Sequence, residues 1–410
     1  MKKDIKFREG KFRVLQISDL QDTKATDVDT IRFLDSALKK LKPDLIVFTG
    51  DQLDVAGLWA IGNREQNVRR AIKGLFTSVE RSGIPFILTF GNHDRQTGIT
   101  NEKQAEIYAE FSNCICFDSE NDGRPDCGTF NLPVYSSDGS RAAMNIYMFD
   151  THSNTNHGNT KYEPISNEQL GWYRETSEKL ASENGGKVPS IVFQHIPPAE
   201  IYKLLKEAPK ETKGTHPAFG DRKGKHYALG DGITFAGEYG ETPSVTDEDG
   251  REVDAFRQQG DVFAVFCGHD HYNSFIGKID GMDFGYCPGA GYSTYGPKQR
   301  QMRLFEFDEN DIENYKTRIV KYSDVCEKRL AKPVKNLVYS NAPSCPGAAP
   351  KYMLKVLAWI SSIVFTLAVL YILVSPTLVN VFLKTVTTVS VIYLAFSIIY
   401  GSVVRNKLIN

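Results

Sequence analysis

DLIVFTGDQLD, residues 44–54, runs from a near-continuous apolar stretch straight into two carboxylates, Asp51 and Asp54. A short run rich in β-branched and aromatic side chains, closed by a glycine, predicts a strand buried on both faces. The same pattern recurs in FRVLQI (12–17), FILTFG (86–91), NIYMFD (145–150), SIVFQH (190–195) and VFAVFCG (262–268). Helix-like stretches such as Asp29–Lys42 separate several of these runs, so the region reads as α/β with helices covering the sheet faces.

Most of these strands end in metal-type ligands. FRVLQI leads into Ser18-Asp19-Leu20-Gln21-Asp22, and the GD and GN turns carry Asp51, Asp54, Asn92, His93 and Asp94. The two later runs end in His195 and in His269-Asp270-His271. Ligands of open α/β sheets bind at the carboxyl ends of strands, which predicts that the clusters converge in one crevice. One isolated Asp or His there is commonly a cap or a satisfied core residue, but five clusters at five strand ends point to a shared site. Carboxylate, carboxamide and imidazole donors without thiolate suit Mn, Fe or Zn, and the carboxylates admit Mg. There are enough donors for two divalent ions, and one bridging Asp would hold them about 3.5–4 Å apart. A hydroxide between them would attack phosphorus, which is phosphoester hydrolysis without a covalent intermediate.

The ordered set of Asp19, GDQLD, GNHD, a lone His after a strand, and GHDH resembles the calcineurin-like metallophosphoesterase superfamily over roughly residues 10 to 310. The text GDVFAVFCGHDHYNSF and CPGAGYSTYG is similar to its purple-acid-phosphatase-like branch, which includes the yeast phosphatase Dcr2. The resemblance implies a four-layer α/β/β/α sandwich. It implies that Asp51 bridges two ions, that Asp19 and His271 belong to a first site, and that Asn92, His195 and His269 belong to a second. It places His93 beside the leaving group as general acid or electrostatic stabiliser, oriented by Asp54. Asp94 and Asp270 read as second-row support or turn formers.

Three departures from the family pattern matter. Gln21 stands where the family usually has a His, and no Tyr stands at Asp54, where purple acid phosphatases have one. Either Gln21 coordinates through its oxygen, or Asp22 or Asp54 takes the place, or the first site is partly filled. Val55 replaces the Arg of the Ser/Thr protein phosphatases similar to calcineurin, which argues against that branch. Arg95, directly after GNHD, is a candidate contact for substrate phosphate.

Outside the motifs, Lys and Arg number 49 against 50 Asp and Glu, a net charge of −1 that makes no case for a nucleic-acid partner. Seven cysteines, without CxxC pairing, fit a reducing compartment; Cys114, Cys116 and Cys127 read as unpaired loop thiols. The start, MKKDIKFREGKF, lacks the apolar stretch of a secretory signal. The stretch 207–252 reads as a long insertion shaping the mouth of the site, with His216, His226 and Tyr239 as polar candidates. Residues 1–325 form the expected catalytic domain and 326–350, with four prolines, a linker.

Residues 351–410 are expected to anchor the protein in a membrane. LKVLAWISSIVFTLAVLYILV (354–374) and TVTTVSVIYLAFSIIYGSVV (385–404) are each long enough to span, and Pro376 and Lys384 between them suggest a hairpin. Lys351, Lys355, Arg405 and Lys407 flank the pair, so the positive-inside rule predicts both termini and the catalytic domain on the cytoplasmic side. The expected function is a membrane-anchored dinuclear-metal phosphoesterase acting on phosphate monoesters, either a phosphoprotein or a small phosphate ester. The alternatives are a phosphodiesterase on nucleotides or lipid headgroups, or a pseudoenzyme binding module, the last because of Gln21.

Overall fold

The computed structural model describes residues 5–54, 62–117, 123–152, 162–218, 220–245, 251–344, 349–374, 382–383, 385–390 and 392. Among these residues the strands form three sheets. The first, in the order β15-β14-β1-β2-β3, holds β1 (Lys11–Ile17), β2 (Leu45–Thr49), β3 (Phe86–Thr89), β14 (Gln301–Asp308) and β15 (Lys316–Lys321). The second, in the order β10-β12-β13-β11-β6-β5-β4, holds β4 (Phe130–Tyr135), β5 (Ala142–Phe149), β6 (Ser190–Gln194), β10 (Ile233–Phe235), β11 (Val262–Cys267), β12 (Ile276–Ile279) and β13 (Met282–Tyr286). The third joins β7 (Leu205–Glu207), β9 (His226–Leu229) and β8 (His216–Pro217).

All six apolar runs are strands. Their pairing explains their composition: β1, β2 and β3 run parallel, as do β5, β6, β11 and β13, and all but β3, which ends the first sheet, lie between two other strands. Alternation within β6 and β11 separates two layers. Ile191, Phe193, Ala264 and Phe266 enter the core shared with the first sheet, while Val192, Val265 and Cys267 face a second cluster with helices α5 (Asn167–Asn184) and α6 (Glu252–Gln259). Phe305 of β14 closes the inter-sheet core, its ring centroid 4.7 Å from Phe266 and 5.5 Å from Phe193. Helices α1 (Val28–Leu41) and α2 (Arg64–Ser82) cover the first sheet, where Phe76 packs 4.8 Å from Phe48. The layers therefore run helix, sheet, sheet, helix.

Helix boundaries follow capping chemistry. Asp27 accepts from Asp29 N at the start of α1, and Lys42 closes it in a left-handed conformation, so the helix begins and ends one residue before the expected span. Ser166 and Gln169 form a capping box on α5. Three shorter helices, α3 (Asn92–Arg95), α4 (Asn101–Tyr108) and α7 (Tyr322–Val325), sit at connections. The 207–252 stretch is not an irregular insertion: it supplies most of the small third sheet, and its β10 extends the second sheet.

Residues 326–344 of the expected linker belong to the same compact unit as the sheets. Helix α8 (Pro333–Tyr339) has Asn336 buried, with its Nδ2 donating to Lys298 O at 2.9 Å, and the compact unit containing both sheets extends to Ser344. Residues 345–410 form a second unit, in which α9 (Ala349–Val374) is helical.

The transmembrane hairpin is a correction. Among the described residues no helix is long and apolar enough to cross a membrane. Apolar length alone cannot separate a span from a helix with a broad packing face. Pro376, Lys384 and residues 393–410 lie outside the described residues. The membrane location and the cytoplasm-facing orientation both rested on the two spans, and no described helix supports them.

Candidate active site

Backbone bonds tie the strand ends together within each sheet, and the His195 side chain ties the second sheet to the first, which brings the five clusters to one place. His195 Nδ1 donates to Thr49 O (2.8 Å), Gly268 N to His195 O (3.1 Å), Asp19 N to Gly50 O (3.2 Å) and Gln21 N to Asp51 O (2.9 Å). Sharp reversals of the chain follow the strands. Asp19, Gln21, Asp51 and His269 all take positive φ, at 53°, 38°, 52° and 71°. Non-glycine residues rarely adopt that region, and such strain gathers at functional sites. The motif glycines permit close approach: a Cβ on Gly91 would lie 2.2 Å from Asp51 Oδ1, and one on Gly268 would lie 1.9 Å from Ser18 Oγ.

Asp51 lies at the centre, almost fully buried. Its Oδ1 accepts from His93 N at 2.8 Å, and its Oδ2 accepts from Gln21 Nε2 at 2.9 Å and faces His195 Nε2 at 3.3 Å. His269 Nδ1 is 3.2 Å from His195 Nε2. Asp51, His195 and His269 each place a ligand atom within 4.8 Å of the others. Asn92, also buried, has an Oδ1 without a hydrogen-bond partner among the described residues. An orphaned buried carboxamide oxygen fits a metal ligand. On the other side, Asp19 Oδ1 is 3.1 Å from His271 Nε2, and His271 Nδ1 donates to Tyr295 O at 2.7 Å. Both His195 and His271 thus spend Nδ1 on a backbone carbonyl and turn Nε2 inward, the usual second-row arrangement of metal-binding imidazoles.

The electrostatics call for a cation. Burial would push Asp51 up, but the imidazoles of His195, His93 and His269 overcome it and hold its carboxyl well below the usual range. Burial disfavours charge on His195, yet the neighbouring Asp51 pushes it up to about 10. The pocket prefers positive charge at this point, which a divalent metal would supply.

Other expected residues divide clearly. His93 is partly exposed; its Nε2 is 3.9 Å from Asp51 Oδ2, and its Nδ1 is 3.1 Å from Gln96 Oε1. Asp54 donates its backbone N–H to Asp22 O (3.0 Å). Asp22 faces away from the centre: Oδ2 accepts from Asp27 N (2.9 Å) and Oδ1 from Ser293 Oγ (3.0 Å). Gln21 presents Nε2 to Asp51, while its Oε1 accepts from Thr294 Oγ1 at 2.5 Å. Asp94 joins two motif loops by accepting from Leu53 N (3.1 Å) and Gly91 N (2.9 Å), and burial together with the Asp51 charge pushes it up to about 8. Asp270 accepts from Ser244 N (3.0 Å) and is raised by burial and by Glu241. Arg95 pairs with buried Asp150 at 3.2 Å. His216 Nε2 is 3.1 Å from Tyr239 O, and His226 lies on β9; Val55 falls outside the described residues. Cys114 Sγ and Cys116 Sγ are 3.7 Å apart, and both thiols are free.

Sequence reasoning missed Gln96, Glu241 and the run Ser293-Thr294-Tyr295. The Tyr295 ring stacks on His271 with centroids 3.9 Å apart and planes 5° apart, and Tyr295 OH reaches Glu241 Oε2 at 3.4 Å. The only mark of that run in the sequence is the glycine-rich CPGAGYSTYG, in which a Cβ on Gly291 would lie 1.8 Å from Leu20 O.

Two packed sheets with carboxylate, imidazole and carboxamide donors at their joined ends define a metal-dependent hydrolase scaffold. The chain belongs to the calcineurin-like phosphoesterase family, whose pattern matches residues 12–273. Among its relatives is "Probable inactive purple acid phosphatase 14" of Arabidopsis thaliana, 26% identical over 337 residues covering 73% of this chain and 75% of that one. Phosphatase DCR2 of Saccharomyces cerevisiae is 26% identical over 338 residues, 75% of this chain and 54% of its own length. A dimetal phosphatase from Danio rerio superposes with a TM-score of 0.47 at 11% identity, covering 76% of this chain and 99% of that one.

Proposed function

We propose that this chain hydrolyses phosphate monoesters, of a phosphoprotein or a small phosphate ester, using divalent metal held by Asp51 with Asp19 and His271 on one side and Asn92, His195 and His269 on the other. The observation that carries this reading is the convergence of these six buried side chains, with both Asp51 oxygens held, the Asn92 oxygen unpartnered, and two imidazoles turned inward by backbone carbonyls. Mn, Fe, Zn or Mg, when bound, supplies positive charge against phosphoryl oxygens and ionises water near neutral pH. His93 sits at the open side of Asp51, where Gln96 fixes one ring nitrogen and leaves Nε2 to hold a proton for the leaving oxygen. Asp54, on the loop after β2 that also carries Asp51, is a further candidate for orienting that imidazole. Arg95, braced by Asp150, offers its remaining donors to substrate phosphate.

A second reading rests on Gln21. Its Nε2 donates to Asp51 in place of a ligand atom, and some relatives are named as probably inactive, which together favour a phosphate-binding module without turnover. The test is hydrolysis of para-nitrophenyl phosphate against bis-para-nitrophenyl phosphate by the full chain, with each of the four metals in turn. Faster release from the monoester supports the proposal, and faster release from the diester makes the protein a phosphodiesterase. No release from metal-loaded protein would make it a binding module.

A further inference from the structure

The segment after β15 reaches back to the site. Ala331 N and Lys332 N donate to the two oxygens of Asp29 (2.8 and 2.9 Å), so this segment is fixed against the first turn of α1. From there Lys335 Nζ extends inward, 2.6 Å from Asp27 Oδ2 and 3.1 Å from Ser293 Oγ. Asp27 is the N-cap of α1 and is buried, and its backbone N–H donates to Asp22 Oδ2. Ser293 Oγ donates to the other Asp22 oxygen. Lys332 Nζ also reaches Asp27 Oδ2, at 3.1 Å, but among the described residues only the Lys335 ammonium reaches Ser293 as well and so holds together two loops. The first carries Asp19, Gln21 and Asp22. The second continues from Ser293 into Thr294, whose Oγ1 donates to Gln21 Oε1, and Tyr295, whose carbonyl accepts from His271 Nδ1 and whose ring stacks on that imidazole. Two carboxylates, Asp22 and Asp27, meet at one helix start, where a nearby cation offsets their repulsion.

We propose that Lys335 is a positioning residue for the Asp19–His271 half of the metal centre, holding the 18–22 and 293–295 loops in register through Asp27 and Ser293. The inference rests on the two-site metal reading above. Removing the ammonium should let the two loops separate, so that Asp19 and His271 no longer present Oδ1 and Nε2 together. The half built from Asn92, His195 and His269 belongs to other strand ends and should be untouched. Geometry and plain electrostatics give opposite signs here. A lost positive charge by itself would tighten metal binding, whereas lost positioning weakens it.

The experiment is a calorimetric Mn²⁺ titration of the full chain, comparing wild type, Lys335→Met, Lys335→Arg and Ser293→Ala, with melting curves alongside. The step belonging to Asp19 and His271 is identified by its loss in His271→Ala. Lys335→Met is expected to weaken that step by about tenfold, the lower end of what outer-row changes cost a metal site, and to leave the other step within about twofold. Lys335→Arg should recover most of the loss, and Ser293→Ala should move the same step in the same direction. The proposal is overturned if that step is unchanged or tightens in Lys335→Met, or if both steps weaken equally. If wild type takes up no Mn²⁺, the metal reading and this inference fall together. If wild type takes up two ions and Lys335→Met matches it, only this inference falls.

Discussion

At the tips of β1, β2 and β11, Asp19, Asp51 and His269 hold a left-handed backbone that costs on the order of 1–3 kcal/mol per residue, and burial of their side chains adds to that. The fold tolerates this because each tip is fixed from several sides, and glycine is needed where one tip touches another. Gly91→Ala should therefore act as a ligand mutation without altering a ligand. Its Cβ would displace Asp51 Oδ1, and metal-dependent turnover should fall about 10–100-fold, the range for disturbed ligand support, with little change in far-ultraviolet dichroism. Full activity in that variant would mean that Asp51 is not held where the structure puts it. Gln21→His adds a nitrogen donor beside Asp51 and His271, so the metal concentration for half-maximal activity should drop, most visibly with Zn or Fe. Unchanged affinity with slower turnover would show instead that the carboxamide works as the donor that steadies Asp51 Oδ2.

At the scale of elements, α6 carries a pH-dependent weakness. Glu252, in its first turn, is buried against the second sheet, and burial plus the nearby Glu200 charge pushes its carboxyl up to about 8. A carboxyl raised in the fold contributes stability that is fully present below its unfolded value near 4.5 and is lost as pH rises through about 8. Glu252→Gln should raise the melting temperature more at pH 8 than at pH 5, and an equal shift at both would place the carboxyl in an ordinary environment. Phe305 is the corresponding apolar case: it fills the space between sheets against Phe266 and Phe193, and Phe305→Ala should cost about 3–5 kcal/mol in denaturant unfolding. These elements differ in how well the sequence announced them. Parallel strands such as β2 and β11 are apolar throughout because both faces are covered. The strands β7 to β9 are short and polar, and nothing in their periodicity separates them from an irregular loop.

For the whole molecule, the candidate site residues were legible because a metal site would need particular side chains at strand ends. Their supports were not, since Thr49 O and Tyr295 O act through backbone carbonyls that every residue has. The same limit explains the 326–350 segment, whose prolines suggested a spacer while Lys335 and Asn336 bind the domain. It also explains the tail, where apolar content was read as a membrane span that no described helix provides. Family membership settles the calcineurin-like phosphoesterase scaffold, and relatives named both as a phosphatase and as probably inactive leave turnover as the claim that matters. The most direct measurement is release of para-nitrophenol from its phosphate monoester by the full chain as Mn²⁺ is added, run beside Asp51→Asn. The account predicts turnover that rises with metal in the wild type and stays at background in the variant at every concentration. Equal turnover in the two proteins, or turnover that survives complete chelation, would contradict it.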